Sequence, residues 1–135
     1  VASLDDILTT QKNGVIAINN LAQYAQGLYN LQRQTPVSSG PATTSVSTLY
    51  TVPTGIQFLL TDIDICNTSS SATFSIYLVP PGGTAGTGNA LFYNAPINPN
   101  TTVQWAGTQS LAAGVTIQAS ASATTVTFKV SGSAQ

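Results

Sequence analysis

The spacing of apolar residues changes character once along this 135-residue chain, and that change limits the folds open to it. From Leu4 to Leu28 they return on a seven-residue repeat, with Leu4, Ile18 and Ala25 in one row and Ile7, Leu21 and Leu28 in the other. Gln11, Gly14 and Gln32 are the exceptions. Such spacing paints one stripe along an α-helix. Beyond Thr44 the period falls to two: Val126, Phe128 and Val130 alternate with Thr125, Thr127 and Lys129, as in a strand with one buried and one wet face. Helix first and β-domain second is the organisation this order predicts.

The helix has a start signal. Ser3 offers a hydroxyl to the free backbone N–H groups, and Asp5 and Asp6 lie beside the positive end of the macrodipole, with Arg33 at the far end. Leu8, Val15, Ala22, Tyr29 and Leu31 widen the stripe beyond a two-stranded seam. A trimeric coiled coil or helical bundle is therefore expected, with Leu4, Ile7, Gln11, Ile18, Leu21, Ala25 and Leu28 at its centre. The alternative is an amphipathic helix folded back on its own β-domain. Asn13-Gly14 predicts a break or kink, since glycine costs about 1 kcal/mol relative to alanine inside a helix.

Residues 35–44 (TPVSSGPATT) hold two prolines and a glycine and read as an extended linker. The expected division is a stalk or anchor over 1–34, a linker over 35–44 and a β-domain over 45–135. Strands are predicted at Ser45–Val52, Gly55–Cys66, Ala72–Val79, Ala90–Tyr93, Thr101–Trp105, Val115–Ser120 and Thr124–Val130, separated by turn-forming clusters. That many short strands point to an antiparallel β-sandwich, jelly-roll-like in preference to immunoglobulin-like. One strand breaks the alternation, with Phe58, Leu59 and Leu60 in succession before Ile63 and Ile65. Either a bulge lies near Leu60 or both faces are covered, and the expectation is a subunit contact through Phe58 and Leu60.

Chemistry is scarce. Seven residues are charged (Asp5, Asp6, Lys12, Arg33, Asp62, Asp64 and Lys129), against about a quarter in an ordinary domain. There is no basic cluster for nucleic acid, no histidine to act as base or ligand, and one cysteine, Cys66, read as a small buried hydrophobe. Neither an export signal nor an apolar run long enough to span a membrane is legible, which predicts a soluble protein. Asp62 and Asp64 share a strand face without a third carboxylate in the β-domain, so no metal, cofactor or catalytic residue is expected. The Gly-rich run after Pro81 lacks the ending of a phosphate loop. Tyr50, Tyr77, Phe92, Tyr93 and Trp105 could serve as a sugar-stacking platform, with Tyr93 and Trp105 the candidate ligand surface.

Several segments also carry a resemblance. Leu49-Tyr-Thr-Val-Pro-Thr-Gly, Ile63-Asp-Ile-Cys-Asn-Thr-Ser, Ala72-Thr-Phe-Ser-Ile-Tyr-Leu-Val-Pro and Pro81-Gly-Gly together resemble a recurrent β-domain of tailed-bacteriophage virion proteins. The opening from Leu4 to Leu21 is similar to N-terminal helices of small phage structural proteins. The resemblance implies a non-enzymatic, homotrimeric fibre or decoration protein of the virion, with other capsid or tail proteins as partners. A carbohydrate- or receptor-binding module contacting a host glycan is the alternative; neither nucleic acid nor membrane is an expected partner.

Overall fold

A computed structural model describes residues 3–32 and 35–134, with side chains throughout except at 26–32 and 35. Helix α1 spans Leu4–Gln32 and begins as its sequence dictates. The Ser3 hydroxyl accepts from the Asp6 N–H at 3.2 Å, and the Asp6 carboxylate accepts from the Ser3 N–H at 3.3 Å, a reciprocal cap. The helix runs unbroken through Gly14, which corrects the expected kink: a glycine penalty of about 1 kcal/mol is spread over 29 residues of otherwise adequate helix formers. Arg33 lies outside the described residues.

Among the described residues eight strands follow: β1 (Thr35–Pro41), β2 (Ser47–Thr51), β3 (Phe58–Asn67), β4 (Ala72–Val79), β5 (Ala90–Ile97), β6 (Thr101–Leu111), β7 (Thr116–Ala121) and β8 (Val126–Ala134). They form two four-stranded antiparallel sheets, ordered β1-β8-β3-β6 and β2-β7-β4-β5. Only β4 and β5 follow one another within a sheet; every other connection crosses between sheets. One core fills the space between them, with Phe58, Ile63, Ile65 and Phe128 from the first sheet meeting Phe74, Ile76 and Ile117 from the second. Phe74 anchors it, its ring 5.2 Å from Phe92 and 6.4 Å from Phe128.

Two sequence expectations give way here. Residues 35–41 are not linker but β1, paired with β8 from Thr35↔Gly132 to Pro41↔Thr127. At an edge, a strand needs donors on one side only, so Pro36 and Pro41 are tolerated where a central strand would exclude them. Phe58 and Leu60 are fully buried in the core of their own chain, so the expected subunit contact through them is replaced by the bulge alternative. Both ladders of β3 shift register between Leu60 and Asp62, which resets the alternation so that Phe58, Leu60, Ile63 and Ile65 all face inward.

Tight packing extends to the backbone at Gly132, opposite Leu60. A Cβ there would lie 2.5 Å from a Phe58 ring carbon, so only glycine lets the Phe58 ring occupy this corner.

Candidate assembly surfaces

Three surfaces hold the residues that the sequence singles out. The first is the stripe of α1. Leu4, Ile7, Ile18 and Leu21 are exposed in the single chain, as are Leu8, Val15, Ile16 and Tyr24; Leu4 stands at 71 %, Ile18 at 67 % and Leu21 at 66 %. Gln11 and Ala25 are exposed with them. The side chain of Leu28 is outside the described set. No residue from Leu4 to Ala25 is covered by the sandwich. For an isolated helix this is unfavourable, because a helix in water owes most of its stability to packing of its apolar face.

The second surface is the outer face of the first sheet. Asp62 and Asp64 emerge from β3 on the side away from the core, and the Gln104 amide on β6 donates to Asp62 at 2.8 Å. Lys129 on β8 stands opposite Asp64. Partial burial, then a hydrogen bond and negative charge from Asp62, raise the Asp64 pKa above the ordinary 3.8, against a smaller opposing pull from Lys129. Cys66 follows on the same face, half-buried between Thr102 and Thr127 in register, and not in the core as expected. Among the described residues no three acidic, cysteine or histidine side chains gather as a metal site would require.

The third is aromatic, and the structure disperses it. Trp105 on β6 stands opposite the buried Ile63, so it faces the core side, half-buried, with its ring against Gly107. Tyr93 on β5 is 55 % exposed and belongs to the other sheet. Tyr77 is buried, Tyr50 packs at 4.8 Å on Phe58, and Phe92 packs on Phe74. No shared platform results.

A feature not foreseen in the sequence lies on the outer face of the second sheet. A shallow cavity of about 200 Å³ is lined by Thr44, Thr73, Ser75, Asn94, Ser120 and Ser122, together with Phe74 and Ala121. Asn94 adopts φ +46° and donates its N–H to the buried Ser75 hydroxyl at 2.9 Å. The sequence carried one hint of it: asparagine tolerates the left-handed region better than most residues.

Fold and surfaces together define a helix-led antiparallel β-sandwich whose exposed apolar surface is concentrated on the helix. No family model matches the chain, and no curated protein does. Among solved structures it is similar to a pentameric capsid protein isolated from metagenomic phage sequences, at 19 % identity and a TM-score of 0.37, covering 78 % of this chain and 64 % of that one. The chain thus spans less than two thirds of that protein's length.

Proposed function

We propose that this chain is a non-enzymatic structural subunit of a tailed-bacteriophage virion, trimerised through α1 and displaying its sandwich as a fibre or decoration domain. The observation that carries the reading is the apolar stripe of α1, left uncovered by its own chain from Leu4 to Leu21. A face of that width suits a bundle of three better than a pair. The strand order supports a jelly roll, an architecture shared by viral capsid and lectin domains. The scarcity of charge supports life within an assembly, since little repulsion opposes contact between neighbours. The segments resembling tailed-phage virion proteins support a place on the virion, on capsid or tail. Division into a stalk and a display domain is part of the same proposal, with the domain now beginning at Thr35. A glycan-binding reading keeps only Tyr93, because Trp105 is turned toward the core.

Light scattering on the full chain tests this. A mass that is a multiple of three chains is expected, and the Ile18→Asp, Leu21→Asp double variant should fall below three. A single-chain mass for the parent, or a mass unmoved by the two aspartates, overturns the proposal.

A further inference from the structure

The two sheets end in four edge strands, and these are unequally guarded. β1 carries Pro36 and Pro41, β2 is only five residues long with a register shift, and β5 combines Pro96, the left-handed Asn94 and two register shifts. Prolines, bulges and shortness keep the unpaired N–H and C=O groups of an edge from recruiting another chain. β6 differs. It is the longest strand at 11 residues, has neither proline nor charge, and among the described residues is laddered on one side only, to β3. Its single register shift falls at Gly107–Thr108, leaving Thr101–Ala106 in unbroken register with Asn67–Asp62.

We propose that the free edge of β6 pairs antiparallel with β6 of a second copy of this chain, about a two-fold axis at Gln104. The residue pattern is complementary to itself in that register. Val103 of each copy falls opposite Trp105 of the other on the core side, an aromatic and β-branched pair of the kind that stabilises neighbouring strands. On the outer side the two Gln104 amides meet at the axis, and Thr102 falls opposite Ala106. A two-fold contact sets identical residues close together, so a charge here would repel its own copy; the strand has none. Val103 and Trp105 are half-buried against the core, and a further strand would complete their cover. The shift at Gly107 ends the pairing by twisting the remainder of β6 away. Such a contact links one helix-centred assembly to the next.

The test uses the full chain carrying Ile18→Asp and Leu21→Asp, so that α1 contributes nothing. The expected mass is two chains, and the fluorescence of Trp105, the only tryptophan, moves to shorter wavelength as concentration rises. Adding Thr102→Lys with Ala106→Lys, or Thr102→Glu with Ala106→Glu, sets like charges opposite one another and should halve the mass. Mixing the lysine and glutamate forms should restore the two-chain mass, which a misfolded variant could not do. A single-chain mass before these charges are added, a two-chain mass that persists in the lysine form alone, or mixtures that stay monomeric would each overturn the proposal. Failure of the helix reading registers separately, as a parent mass that the two aspartates leave unchanged.

Discussion

At the scale of single residues, the inside of the sandwich depends on one amide. Asn67, with no exposed surface, donates to the Ser70 carbonyl at 2.9 Å and the Ile97 carbonyl at 3.3 Å, and accepts from the Ser69 N–H at 3.3 Å and the Thr125 hydroxyl at 3.1 Å. One side chain thereby ties three turns together. Asn67→Leu keeps much of the volume but strands its partners, and a loss of about 3 kcal/mol is expected in urea unfolding; a loss below about 1 kcal/mol would mean that water replaces the amide. Asp64 makes a prediction of opposite character. Its raised pKa means that the folded chain binds the proton more tightly than the unfolded one. The resulting stabilisation is complete below the unfolded value near 3.8 and is lost as pH rises through the higher folded value. Asp64→Asn should therefore match the parent in acid and melt higher than it at neutral pH. A melting-temperature difference that stays constant with pH would rule out this origin.

At the scale of elements, β1 is the strand whose composition hides it. Seven residues with two prolines, two serines and a glycine look solvated, yet they cover the flank of β8 from Gly132 to Thr127. A chain beginning at Ser45 should lose its cooperative thermal transition, whereas one beginning at Thr35 should retain it; two equal transitions would show that β1 adds nothing to the sandwich. What made the other strands legible was alternation, which survives wherever a strand has one face on the core, as in Val126, Phe128 and Val130. The extents of β5 and β6 were not legible, because Ala95 through Ile97, Ala106, Gln109 and Ser110 owe their pairing to partners on other strands and carry no alternation of their own. The run from Phe58 to Leu60 was ambiguous for a related reason: a bulge and a two-sided contact leave the same pattern, and only the ladder to β6 and β8 separates them. Of the surfaces, the helix stripe could be read from its repeat. The turning of Trp105 toward the core could not, since it depends on the register with Ile63.

At the scale of the molecule, the two parts of the chain derive their stability from different sources. The sandwich closes its own core, with Phe58, Phe74 and Phe128 all almost completely buried in one chain. Helix α1, 29 residues or about 44 Å long at 1.5 Å per residue, has no such closure among its described side chains and exposes its apolar residues from Leu4 to Ala25. A helix that is ordered by association must lose order when association is lost, while a self-sufficient sandwich must not. Dilution should therefore separate them. Far-ultraviolet circular dichroism at the helical band should weaken as the mass falls to one chain, with the near-ultraviolet phenylalanine bands of the buried Phe58, Phe74 and Phe128 unchanged. Ile18→Asp should move the same loss to higher concentration by about tenfold or more, the equivalent of one buried aliphatic side chain. If helicity instead holds constant down to the single chain, α1 is stable without partners, and its apolar stripe then has to be explained by a surface on a different protein and not by copies of itself.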